Sequence, residues 1–132
     1  MRELSCGDQK VRVRASNLTL LFYKQEFKRD VVGDFAAMLT ELVGGLQALS
    51  GGKKFDLANI DLSKLDSVVL LQIIWSMAKS AEYDGSSKFP NFTDWIGTVD
   101  DLNIFNKDVL LAVAEEGAKG FFRTDLKKFI KI

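Results

Sequence analysis

The run Leu65–Ala81, LDSVVLLQIIWSMAKSA, limits what this chain can fold into more than any other stretch. Between Val68 and Ala78 the only polar residues are Gln72 and Ser76, which stand four apart and therefore share one narrow stripe of an α-helix. Every other face is apolar, the pattern of a helix enclosed on nearly all sides. The run is too long and uninterrupted for one strand, and it falls short of the ~18 apolar residues that span a bilayer. Ser63 is placed to cap the first free N–H groups, with Asp66 three residues on able to reach back, and Asp84-Gly85-Ser86-Ser87 stops the helix. The spacing thus predicts a central core helix over about 64–81, with a role in stability. Chemistry has to be sought elsewhere.

Upstream, Glu3–Cys6 and Lys10–Arg14 flank Gly7-Asp8-Gln9. The second arm alternates, with Lys10, Arg12 and Arg14 on one face and Val11, Val13 and Ala15 on the other, so a small β-hairpin over about 2–6 and 10–15 is expected. Two strands are marginal alone, so the hairpin must lie on helices or pair with another copy. Ser16 caps a helix to about Phe27, and Asp30 caps a longer one over Val31–Leu49. In that helix Val31, Phe35, Met38, Leu39, Leu42 and Leu46 share a face, while Asp34 and Glu41 fall off it. Gly44-Gly45 weakens its last turns. Ser50–Lys54 reads as a surface connection and Phe55–Leu62 as an irregular or short extended approach to the central helix.

Downstream, Asn91 caps a short helix over Phe92–Val99, and Asn106 a last long one to about Phe121 with Val109, Leu110, Val113 and Ala114 as its apolar stripe. Thr124–Ile132 is amphipathic and reads as a docking or packing helix, with Leu126, Phe129 and Ile130 opposing Lys127, Lys128 and Lys131. The expected fold is mainly α: five or six helices around the central one, with an N-terminal hairpin. The expected organisation is one domain over 1–122 with a short amphipathic tail over 123–132.

Composition narrows the chemistry. Eighteen basic and eighteen acidic residues leave a formal charge of zero, which argues against nucleic acid and favours self-association. The single Cys6 suits a reducing cytoplasm, and Met1–Cys6 carries charges where a signal peptide would begin its apolar segment. There is no histidine, hence neither the commonest general base nor the commonest zinc ligand. Cys6 therefore lacks an activating imidazole and reads as a small strand residue. Glu82-Tyr83-Asp84-Gly85 has its glycine too early for a calcium loop, and no glutamate closes it. Glu115 and Glu116 point about 100° apart on a helix, so they read as a solvated face rather than a catalytic carboxylate pair. No catalytic residue, cofactor site or metal site is expected, and the three-lysine tail is too short to argue for a membrane surface.

Three stretches together resemble a family. Phe22-Tyr23-Lys24-Gln25-Glu26-Phe27-Lys28-Arg29-Asp30, after a short charged hairpin, looks like the N-terminal segment of tail assembly chaperones from long-tailed, siphovirus-type phages and prophages of Gram-positive bacteria. Trp75–Ala81 resembles the family's central helix, and Phe89-Pro90-Asn91-Phe92-Thr93-Asp94-Trp95-Ile96 is similar to its Pro-aromatic-Trp segment. The order and spacing match over about Glu3–Phe122. The resemblance implies a non-enzymatic protein of the host bacterial cytoplasm, absent from the mature virion. It would bind the apolar, helical tape-measure protein, keep it soluble, and help recruit tail-tube subunits.

Such a role needs an exposed groove or patch tolerant of many partner sequences. The candidate partner-binding residues are Phe89, Phe92, Trp95, Phe121, Phe122 and Phe129, and with ten phenylalanines a homo-oligomer is expected. The competing reading of the aromatics is packing beneath the loop after the central helix. The competing function is a small helical DNA-binding regulator of phage or prophage origin, which would require a basic recognition face.

Overall fold

The computed structural model describes residues 1–43, 55–56, 65–86, 88–125 and 130–131. The order of elements is β1 (Arg2–Cys6), β2 (Gln9–Val13), α1 (Asn17–Phe27), α2 (Val31–Val43), β3 (Phe55–Asp56), α3 (Ser67–Glu82), α4 (Phe92–Thr98), α5 (Lys107–Phe122) and β4 (Ile130–Lys131). Among the described residues the fold is mainly α, with five helices and a two-stranded antiparallel hairpin at the N-terminal end.

The helix starts follow local chemistry. The Asp30 carboxylate accepts from the Val32 N–H, the Asn91 side chain from Asp94 N–H, and the Asn106 side chain from Asp108 and Val109 N–H. At α1 the Ser16 N–H donates to Thr19 Oγ1, while the Ser16 hydroxyl hydrogen-bonds Ser80 Oγ on α3 at 2.7 Å. Asp66, rather than Ser63, starts the central helix: its carboxylate accepts from Val68 and Val69 N–H, so α3 begins at Ser67 instead of residue 64. An aspartate directly before Ser67 satisfies those two donors, and Ser63 lies outside the described residues. The expected end of α2 at Gly44–Leu49 also lies outside the described residues.

Centrality of α3 comes from Ile73–Ala78, six consecutive residues that are all buried. At 100° per residue they point in every direction, so this stretch is covered all round. The covers are α1, β2, α2 and α4. The first turn escapes: Val68 is 53% exposed. The Arg14 N–H donates to the Met77 carbonyl at 3.0 Å, tying the chain just after β2 to α3.

The hairpin turns through Gly7-Asp8 with Cys6 paired to Gln9 and Arg2 to Val13, so the second strand is Gln9–Val13 rather than 10–15. Gly7 has φ +58° at the first turn position, and a Cβ there would lie 2.7 Å from the Asp101 carboxylate. Leu4, Cys6 and Val13 face the core.

Two further expectations are corrected. Glu115 and Glu116 are not solvated: they are 7% and 6% exposed. Arg2 Nη2 donates to Glu115, the Ala15 N–H donates to Glu116 Oε2 at 3.1 Å, and the Met1 amine lies 3.5 Å from Glu116 Oε1. The hairpin is therefore fastened onto α5 by the two carboxylates that look idle in the sequence. The second correction concerns the tail, where Ile130–Lys131 forms a short parallel pair with Phe55–Asp56 instead of continuing a packing helix. Parallel strands share hydrogen bonds across any sequence distance, and two residues are too few to leave a periodic trace.

Candidate functional site

The aromatic candidates separate into two groups. Around α4, Trp75 is the hub: its Nε1 donates to the Pro90 carbonyl at 3.1 Å, and its ring meets Phe27, Phe89 and Phe92 at centroid distances of 5.5, 6.3 and 6.4 Å. Phe27 and Phe92 cross edge to face at 5.0 Å, and the Glu26 carboxylate accepts from the Phe92 N–H, clamping α4 to α1. Phe89 and Phe92 are half-buried, whereas Trp95, at 5% exposure, belongs to the core. Lys79 extends the group, its Nζ lying 4.5 Å above the Phe22 ring, and Phe22 in turn meets the exposed Tyr83. The second group, at the end of α5, has Phe121 and Phe122 both against Phe35, at centroid distances of 5.3 and 6.0 Å, with Phe122 exposed. Phe129 lies outside the described residues.

Packing under the loop after the central helix thus accounts for most of the first group. Gly117 lets the second form, because a Cβ there would sit 2.3 Å from the Phe35 ring.

A feature missed in the sequence lies between α2 and the start of α3. Asp34, Ala37, Met38 and Glu41 recur at helical spacing on one face of α2, opposite Leu65, Asp66, Val69 and Leu70, and with Arg29 they line a cleft of about 300 Å³. That volume suits one or two large side chains of a partner rather than a cofactor. The apolar floor is Met38, Leu65 and Leu70; Ala37 and Glu41 stand exposed at the lip.

A polar network supports one wall. Arg29 grips Asp34 with two hydrogen bonds, Nε to Oδ2 at 2.8 Å and Nη2 to Oδ1 at 2.6 Å. The Tyr23 hydroxyl donates to Asp34 Oδ2 at 2.7 Å and also lies 3.3 Å from Gln72 Oε1. Arg29 hydrogen bonding, followed by that of Tyr23, outweighs the opposing effect of burial and holds the Asp34 carboxyl below its ordinary range. Burial, and then the Asp34 bond, push the Tyr23 hydroxyl far up, so it stays a donor. The sequence signal available was Asp34, Ala37, Met38 and Glu41 at one spacing, partly polar and adjacent to the core face. It is easily taken for an ordinary solvated edge.

Elsewhere the chemistry is sparse. Cys6 is buried, and desolvation, with Asp101 adding to it, raises its thiol pKa, the opposite of what a nucleophile needs. Among the described residues no three metal-ligating side chains converge, and no helix is long and apolar enough to cross a membrane. No protein-family model matches the chain, and neither a curated protein nor a solved structure matches it significantly.

Proposed function

We propose that the protein is a tail assembly chaperone of the long-tailed-phage type, which binds apolar helices of the tape-measure protein and keeps them soluble while tail-tube subunits are recruited. The observation that carries the reading is the α2–α3 cleft, an apolar floor between side chains of α2 and of the start of α3 with charges at the lip. Such a shape suits the helix-in-groove mode, in which anchors at i, i+3 or i+4 of a partner helix enter a hydrophobic slot. Met38 on its floor is a side chain that adapts to differing anchors, which a client with a varied apolar repeat demands. The sequence resemblance over Glu3–Phe122 supports the same reading. So do the half-buried Phe89 and Phe92 and the exposed Phe122, which offer additional apolar contact area.

The test is co-expression with the tape-measure protein of the same genome, followed by size exclusion with light scattering. The expected result is soluble tape-measure protein co-eluting with this chain. Ala37→Arg would block the cleft from an exposed helical position that leaves the core untouched, and it is expected to abolish the complex. A tape-measure protein that stays insoluble beside the wild-type chain would overturn the reading.

A further inference from the structure

The charges around the cleft narrow what can enter it, and this step rests on the helix-binding reading above. Four charged residues border the cleft: Arg29, Asp34, Glu41 and Asp66. Arg29 and Asp34 neutralise one another through their paired hydrogen bonds. Asp66 uses Oδ1 to cap α3, and Glu41, exposed on the lip, has no cationic partner among the described residues. Among the described residues the cleft therefore has an apolar floor, and its border carries three carboxylates against one guanidinium, an excess of negative charge. An acidic helix would be repelled by that excess. A purely apolar helix would fill the floor but leave the excess without a counterion.

We propose that the cleft selects amphipathic helices whose apolar anchor residues are flanked, within about one turn, by a lysine or arginine that faces Glu41 and Asp66. The basic side chain sets register, because exposed ion pairs contribute little affinity but penalise the wrong sign. The anchors supply the binding, and the rim supplies the choice.

The probe is a fluorescein-labelled amphipathic peptide of about 16 residues, long enough to hold a helix, with leucines at i, i+3, i+4 and i+7 and lysines beside them. A second peptide carries glutamates in place of the lysines. Fluorescence anisotropy with the full chain should show the lysine peptide binding about three- to ten-fold more tightly than the glutamate peptide at low salt, the gap shrinking at high salt. Glu41→Lys should reduce that preference or reverse it, with the circular dichroism spectrum unchanged because the side chain is exposed. Equal binding of the two peptides, no binding of either, or an unchanged preference in Glu41→Lys would each overturn the proposal. Its failure is separable from that of the chaperone reading. Solubilised tape-measure protein with no charge preference leaves the chaperone role standing and removes this selectivity; a clear charge preference with insoluble tape-measure protein does the reverse.

Discussion

Two residues sit in backbone conformations that their side chains oppose. Lys28 and Arg123 end α1 and α5 with φ of +60° and +57°, the left-handed cap position usually given to glycine, and their N–H groups close onto the Lys24 and Ala118 carbonyls. Left-handed backbone costs a non-glycine residue about 1–2 kcal/mol, part of which glycine returns as chain entropy. Lys28→Gly and Arg123→Gly are each expected to stabilise by up to about 1 kcal/mol, read as a rise of about 3–5 °C in the thermal midpoint. Asp34 makes a different forecast. Its folded pKa lies below the unfolded value of about 3.9, so its contribution to stability is complete above that value and is lost as pH falls through the folded pKa. Wild-type protein should therefore lose stability steeply below about pH 4, whereas Asp34→Asn should start lower at neutral pH and fall less. Denaturant melts of the two proteins across that range would decide it. Unequal slopes are the expected outcome, and parallel ones would remove Asp34 from the account.

Among the elements, the hairpin is the one held by its partners rather than by itself. Glu116 satisfies the buried Ala15 N–H, and Gly120 lets that same backbone approach, since a Cβ on Gly120 would come within 2.3 Å of the Ala15 carbonyl oxygen. Glu116→Ala should cost about 1–3 kcal/mol by orphaning a buried donor, and Gly120→Ala a similar amount by overpacking. Hydrogen exchange should show the loss first in Arg2–Val13, with α3 amides still protected; uniform loss across the chain would contradict this division. How much of this was legible in the sequence follows from the reach of each interaction. Ser16, Asp30, Asn91 and Asn106 were readable as helix starts because a cap acts over two or three residues, and Gly7 marked the hairpin for the same reason. Glu115 and Glu116 were not, because their partners at Arg2 and Ala15 stand about a hundred residues away. The cleft was hidden too: only packing brings the Asp34–Glu41 face of α2 opposite Val69.

For the whole molecule, zero formal charge and exposed Leu21, Val68, Tyr83, Phe105 and Phe122 leave little repulsion between copies. Light scattering of the isolated chain is expected to show a homo-oligomer at tens of micromolar or above; a monomer throughout would count against it. The bond from Ala15 to Glu116 also has a bearing on biosynthesis. Chains emerge from the ribosome N-terminal end first, so the hairpin and α1 are made long before the helix that fastens them. Until α5 has been translated, the Ala15 amide has no acceptor and the inner faces of Leu4, Cys6 and Val13 lack part of their cover. A helix synthesised about a hundred residues later is thus the latch on the hairpin. A nascent chain stopped before Glu116 exposes the surfaces that a finished chain has shut away.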